Sequence, residues 1–207
     1  EVIAEVQGYC RTHMKRDGLH LMVDVGASTL DVCGFYLYEP RKGDPVNTLL
    51  TPTVEELGAD ILKERRPSWL KTIRKDVVVA NQPIGWECIR AVELSIDRLK
   101  NKMAPFASAF KKGEPLRVFL CGGGGQLSFY RRVIDEVSGR LEDRWLDFGG
   151  LYSDPIPRPD SVKWPSDMDE ALYHRLAVAF GLSFADYDVG EIYPASSVEG
   201  ISPPEAA

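Results

Sequence analysis

The stretch Leu21-Met22-Val23-Asp24-Val25-Gly26-Ala27-Ser28-Thr29-Leu30-Asp31-Val32 places two apolar runs on either side of a short turn. The segment from Leu19 to Val25 is typical of a buried strand, and the segment from Leu30 to Tyr38 is typical of a second strand. The small residues between the two segments supply the turn. The sequence therefore predicts a β-hairpin that carries Asp24 near the end of its first strand.

The turn of this hairpin combines groups that suit a phosphate and its counter-ion. Small residues let the backbone approach phosphate oxygens closely, and a threonine hydroxyl adds a donor. Asp24 and Asp31 are suited to hold Mg²⁺ through its waters. An ordinary hairpin, in which Asp and Thr only stabilise the turn, is the alternative interpretation. The residues of this predicted phosphate cradle are Gly26, Ala27, Ser28 and Thr29.

A run of four glycines follows the apolar segment Leu116 to Cys121, which predicts a buried parallel strand. Glycines have no Cβ atom, so a planar base or ribose fits directly against the backbone, and the helix that follows offers free N–H groups. Gln126 would flank such a ligand. A flexible loop at a close helix–strand contact explains the same pattern. The four glycines are Gly122, Gly123, Gly124 and Gly125.

Helices are predicted wherever apolar residues recur at spacings of three and four. Four such segments run from Val2 to about Lys15, Gly85 to about Phe110, Leu127 through Val137, and Glu170 to about Phe184. Thr53, with Glu56 three residues later, predicts the N-cap of a further helix that ends near Arg66. The prolines beyond Arg144 predict an irregular crossing loop, and the segment Trp69 to Val79 is ambiguous.

Composition limits the class of protein. The formal net charge of −6 over 207 residues argues against nucleic-acid and membrane partners. The four cysteines are widely spaced and include no C-x-x-C pair, which favours neither a zinc site nor a disulfide framework. A reducing, cytoplasmic location is therefore expected. His13 and His174 are predicted to lie on helix surfaces, and His20 opens a strand.

Three motifs in this order resemble those of the actin and heat-shock-chaperone ATPase superfamily. The first is Asp24-x-Gly26-x-x-Thr29-x-Asp31, which resembles its second phosphate motif, and the second is the strand that runs into Gly122-Gly123-Gly124, which resembles its adenosine motif. The third is the small-residue helix Ala177-Val178-Ala179-Phe180-Gly181-Leu182-Ser183, which resembles its second connecting helix. The helix Val2 to Tyr9, with Ala4 and Gly8, is similar to the first connecting helix.

The resemblance implies a fold and a domain division. The fold would be α/β, with a ribonuclease-H-like mixed sheet of about five strands flanked by helices and a small, mainly helical insertion. Residues 1–190 would form the C-terminal lobe (subdomain II) of such an ATPase, with the insertion at about residues 51–112. Residues 191–207 would be a tail or linker. The chain begins at Glu1, and we expect it to be part of a longer protein.

The resemblance also implies roles for single residues. Asp24 would be the catalytic residue beside Mg²⁺, and Asp31 a second metal-binding residue. Gly26, Ala27, Ser28 and Thr29 would wrap the phosphates of ATP or ADP, and Gly122, Gly123 and Gly124 would face the adenosine. Gln126 occupies a position where many chaperones have an arginine that stacks on adenine. Glu93 and Arg98 lie where the family reaches the ribose and base from the side.

The implied function is that of a nucleotide-binding lobe that holds Mg-ATP together with an N-terminal lobe. Alone, this lobe would bind nucleotide weakly and show essentially no turnover, because phosphoryl transfer depends on groups placed by both lobes. The complete protein would be an ATPase with possible protein clients. The alternative from a different class is a scaffold or filament-forming protein that self-associates and uses nucleotide only as a switch.

Two other enzyme classes fit the sequence poorly. A Rossmann-like dinucleotide site requires the G-x-G-x-x-G order, which the run Gly122 to Gly125 does not have. A hydrolase triad requires a serine in a nucleophile turn near a histidine, and no such pattern is present.

Overall fold

The predicted hairpin forms the centre of the sheet. In the computed structural model, which describes residues 2–38, 46–65, 83–103, 113–146, 148–167, 169–184 and 191–193, β1 (Gly18–Val25) pairs antiparallel with β2 (Leu30–Tyr38). Their register places Val25 opposite Leu30 and Asp24 opposite Asp31. The sequence therefore predicts both strands and the turn between them correctly.

Two parallel strands extend the sheet on the β1 side. β4 (Leu116–Cys121) pairs parallel with β1, as predicted, and β5 (Leu151–Pro155) pairs parallel with β4. β5 lies within the stretch for which the prolines predict an irregular loop, and that expectation is wrong for these five residues. β5 is an edge strand with no buried residue, so it lacks the apolar signal by which a strand is found in a sequence.

Two further strands lie on the β2 side. β3 (Val46–Glu55) runs antiparallel to β2, and β6 (Glu191–Tyr193) pairs parallel with β3 at the opposite edge of the sheet from β5. β6 belongs to the stretch 191–207 for which the sequence predicts a tail; residues 194–207 lie outside the described residues. The strand order is β5-β4-β1-β2-β3-β6. The fold is therefore α/β with a ribonuclease-H-like mixed sheet, as expected, extended by a sixth strand.

The described helices lie on both sides of this sheet. They are α1 (Val2–Cys10), α2 (Ala59–Arg65), α3 (Pro83–Met103), α4 (Ser128–Arg144), a 3₁₀ helix (Glu170–Arg175) and α5 (Ala177–Leu182). Alternation along β1 separates two cores, because successive side chains point to opposite faces. Leu21 and Val23 pack with α3 and α4, whereas Met22 packs with α1 and α5. None of the described helices is long and apolar enough to cross a membrane.

Three helix boundaries differ from expectation. α1 ends at Cys10, before Lys15, because the Thr12 hydroxyl and amide both donate to the Tyr9 carbonyl at 2.9 Å and terminate the helix. The last predicted helix is divided at Leu176 into a 3₁₀ helix and α5. α3 is confirmed as the longest described helix, but its predicted end near Phe110 and the ambiguous segment Trp69 to Val79 lie outside the described residues.

Thr53 does not cap a helix. It lies in β3, and its Oγ1 is 2.8 Å from Ser95 Oγ on α3. The register of β2 and β3 shifts between Val32 and Gly34, and Thr51 in this bulge has φ 47°. The predicted capping box is therefore wrong, because Thr53 belongs to a strand and its hydroxyl contacts a residue of α3 that is 42 positions away. Within the predicted insertion 51–112, the structure describes the end of β3, α2 and α3.

α1 and α5 cross at small residues. A Cβ atom at Gly181 would collide with the backbone of Ala4, and one at Gly8 would lie 3.3 Å from the ring of Phe180. The two helices that the sequence likens to the connecting helices of the superfamily are therefore in direct backbone contact.

His20 is buried in an aromatic cluster. Its ring stacks on Phe35 at 5.0 Å between centroids and on Phe119 at 5.9 Å, and its Nδ1 is 2.9 Å from the Gly18 carbonyl oxygen. Burial lowers the pKa of His20 from 6.5 to about 4. The ring is therefore neutral in the folded protein at neutral pH.

We predict that His20 destabilises the fold in weak acid. Between pH 6.5 and 4 the unfolded chain binds a proton at this ring and the folded chain does not, so the free energy of unfolding falls as the pH falls through this window. The loss amounts to about 3 kcal/mol. Urea unfolding at a series of pH values measures it, and His20→Phe removes this component.

The control for this prediction is His13→Gln, since the His13 side chain is exposed and its Nδ1 lies 2.9 Å from a carboxylate oxygen of exposed Asp160. That variant keeps the steep pH dependence. A wild-type profile that His20→Phe leaves unchanged contradicts the prediction.

Candidate functional site

Three strand ends meet at Asp24. Strand pairing sets Asp24 opposite Asp31 on β2 and opposite Cys121 on β4. Residues directly opposite each other point to the same face of a sheet, so all three side chains share the face that α1 covers. Asp24 is only 3% exposed. Asp24 of the hairpin motif therefore lies beside Cys121, the residue that directly precedes the glycine run.

The turn Gly26–Thr29 is closed and oriented by backbone hydrogen bonds. The Gly26 amide donates to the Thr29 carbonyl at 2.9 Å. The carbonyl oxygens of residues 26, 27 and 28 each accept a hydrogen bond from an amide at the start of α2, from Ala59, Asp60 and Gly58 respectively, at 2.8–3.0 Å. These bonds satisfy amides that a helix start otherwise leaves without partners. They turn the carbonyls of the cradle towards α2.

Three amides of the same turn are available to a ligand. Ala27 and Ser28 are exposed, and within the described residues no acceptor takes the amide hydrogens of Ala27, Ser28 or Thr29. Successive backbone N–H groups of this kind form a concave site for an anion. The structure therefore places all four predicted cradle residues in one turn that presents donors to solvent.

The glycine run contacts this turn directly. Gly122 has φ 72°, and a Cβ atom there would collide with Asp24 Oδ1. The Gly124 amide donates to the Val25 carbonyl at 2.9 Å. Position 122 therefore requires a glycine for two reasons: its backbone is in the left-handed region, and it lies close to the Asp24 carboxylate. The glycine run therefore lies against the end of β1, directly before the predicted phosphate cradle.

The glycines do not all face outward. Gly123 is exposed, and no atom lies within 4 Å of a Cβ placed there. Gly124 packs against Val25 and Ala59, and Gly125 packs against the backbone of Cys121. Of the three glycines predicted to face adenosine, Gly122 and Gly123 lie at the surface and Gly124 lies inside.

Gln126 is exposed at the end of the glycine run. Its Nε2 lies 3.1 Å from His174 Nδ1 on the 3₁₀ helix. His174 is 7% exposed, so its predicted place on a helix surface is wrong. The contact joins residues 48 positions apart, and no local pattern in the sequence indicates it.

Negative charge is concentrated beneath the two loops. Asp24 and Asp31 lie opposite each other, and like charges in that arrangement are unfavourable. Asp31 Oδ1 is buried and has no hydrogen-bond partner within the described residues. Glu5 on α1 is fully buried. Burial first, and then the carboxylates of Glu5 and Asp24, raise the pKa of Cys121 well above its usual value.

These residues fit a hydrated divalent cation. No group of three or more metal-ligating side chains comes together in the described ranges. Mg²⁺ usually keeps several waters and takes only one or two carboxylates. Asp24 and Asp31 match that ligand set, and the buried oxygen of Asp31 has no other partner there.

Glu93 and Arg98 are the predicted residues that the structure does not bring to the aspartates. They lie on α3, which packs through Val92, Ile96 and Leu99 on the face of the sheet opposite to the one that α1 covers. The four cysteines are free and buried, and burial raises the pKa of Cys10 and Cys88 to about 12 and that of Cys33 to about 11. Their thiols are therefore protonated at neutral pH.

Two of the solved structures to which the chain is similar are ParM proteins. No family model matches the chain, and no curated protein matches it. The apo psk41 ParM protein is 14% identical with a TM-score of 0.34, over 86% of this chain and 47% of that one. A non-polymerisable quadruple mutant of pCBH ParM is 12% identical with a TM-score of 0.39, over 86% and 52%. The chain thus spans about half the length of these two solved proteins.

We predict opposite effects of Asp31→Asn on stability without and with magnesium. Removing one of two opposed carboxylates raises the free energy of unfolding in Mg²⁺-free buffer by up to about 1 kcal/mol. Millimolar Mg²⁺ stabilises the wild type and no longer stabilises the variant, because a ligand of the cation has been lost. Urea unfolding with Mg²⁺ or with EDTA measures both effects.

Asp143→Asn is the matched control, since Asp143 is exposed on α4. It should change neither the stability in EDTA nor the response to Mg²⁺ by a comparable amount. A less stable Asp31→Asn variant with an unchanged response to Mg²⁺ would contradict the magnesium assignment.

Proposed function

We propose that this chain is the nucleotide-binding lobe of an actin-like or chaperone-like ATPase. The observation that carries the proposal is the direct contact between the two loops: Gly122 lies against Asp24, and the Gly124 amide bonds the Val25 carbonyl. One loop supplies outward amides beside two aspartates, and the other supplies backbone with open space above Gly123. That pairing suits a phosphate chain joined to a nucleoside.

The phosphates of ATP or ADP would lie on the turn Gly26–Thr29. The amides of Ala27, Ser28 and Thr29 would donate to phosphate oxygens, and the Thr29 hydroxyl lies on the same turn. Asp24 and Asp31 would hold Mg²⁺ through its waters. Bound there, Mg²⁺ neutralises phosphate charge. The carbonyl bonds to α2 keep this turn in one orientation before any ligand arrives.

The adenosine would lie against Gly122 and Gly123, with Gln126 at its edge. Gly122 allows the backbone to pass close to the Asp24 carboxylate, so the site for the base would lie next to the site for the phosphates. Since the net charge of the chain is −6, the phosphates must be neutralised locally, by amides and the cation.

A second lobe would complete the site. The turn and the glycine run lie at one end of the central strands, and the close crossing of α1 and α5 would be the base on which another lobe pivots. We infer that an N-terminal lobe of the same ATPase covers the nucleotide. This chain, without that lobe, would bind nucleotide weakly and show no turnover. The four buried, protonated thiols fit a cytoplasmic protein.

Titration with Mg-ADP tests the proposal. We expect the chain to bind Mg-ADP, and Asp24→Asn to weaken the affinity about tenfold or more, because a charged partner of the bound cation is lost. Calorimetry measures both affinities. Repeating the titration in EDTA is the internal control, since the difference between wild type and variant should then shrink. Equal affinities of both proteins for Mg-ADP would contradict the proposal.

Turnover by the complete protein separates an ATPase from a nucleotide switch. Release of phosphate from Mg-ATP supports the ATPase. Binding without turnover, together with ATP-dependent pelleting, supports a self-associating scaffold that uses the same site.

A further inference from the structure

His174 is a buried histidine in contact with an exposed loop. It lies on the 3₁₀ helix with 7% of its surface exposed, and its Nδ1 is 3.1 Å from Gln126 Nε2. A carboxamide nitrogen only donates hydrogen bonds, so this contact requires the ring tautomer in which Nδ1 accepts. The contact therefore fixes which end of the Gln126 carboxamide faces the protein.

The glycine run is anchored immediately after its open part. The Gly124 amide donates to the Val25 carbonyl, and Gln126 donates to His174. Gly123 precedes both anchors and has open space above it. The carboxamide of Gln126 is thus held beside the backbone on which the proposed nucleoside would lie.

We propose that His174 is a positioning residue that strengthens binding of the nucleoside base at this site. The inference rests on the proposed nucleotide site. A glutamine carboxamide presents a donor and an acceptor that match the edge of adenine. An exposed glutamine is otherwise free to adopt many rotamers, and ordering it on binding lowers affinity. His174 orders the side chain in advance and so strengthens binding of the base.

The contribution of the base is separated from that of the phosphates by two probes, Mg-ADP and Mg-pyrophosphate. His174→Leu should weaken Mg-ADP about three- to tenfold, the effect of one hydrogen bond, and leave Mg-pyrophosphate unchanged. His174→Asn keeps an acceptor and should restore much of the affinity for Mg-ADP. A merely structural role would weaken both probes together.

A double-mutant cycle tests whether His174 acts through Gln126. Gln126→Ala, at an exposed position, should itself show the selective loss for Mg-ADP. In that background His174→Leu should have no further effect. Thermal unfolding of each variant checks that it folds.

Each outcome decides the proposal. The positioning role is overturned if His174→Leu lowers the affinities for both probes equally. It is also overturned if His174→Leu lowers the affinity for Mg-ADP as much in the Gln126→Ala background as in the wild type. If the wild type binds Mg-ADP and all three variants bind it equally well, this inference fails while the proposed function stands. If the wild type binds neither probe, both are overturned.

Discussion

The candidate site depends on the register in which β1 pairs with its two neighbours. Asp24 lies opposite Asp31 on one side and Cys121 on the other. A shift of one residue in either pairing would turn every side chain of that strand to the opposite face. The same register sends Leu21 and Val23 into one core and Met22 into the other, so the burial that stabilises the sheet also fixes the position of the carboxylate.

Around that carboxylate, backbone contacts set the chemistry. The amides at the start of α2 hold the carbonyls of the turn Gly26–Thr29, which leaves the amides of the turn directed outward. Gly122 lets the second loop approach the Asp24 side chain closely, because any larger residue would collide there. Donors, carboxylates and open backbone therefore come together at one end of the central strands.

The sequence predicts the parts of this arrangement that depend on local patterns. Alternation and turn residues give β1, β2 and β4 correctly, and the spacing of acids and glycines gives both loops. Contacts between distant residues leave no such pattern. Thr53 bonds Ser95 across 42 positions, although its local pattern predicts a helix cap. His174 bonds Gln126 across 48 positions, although its local pattern predicts a residue on a helix surface. β5 was missed because an edge strand without buried residues carries no apolar signal.

The central claim is that the two loops bind one Mg-nucleotide together. The most direct measurement is the map of backbone amide chemical shifts by NMR as Mg-ADP is added to the chain. The account predicts that the amides of Ala27, Ser28 and Thr29 shift together with those of Gly122 and Gly123, and that pyrophosphate shifts only the first group. Shifts confined to a single loop with Mg-ADP, or shifts elsewhere on the surface, would contradict it.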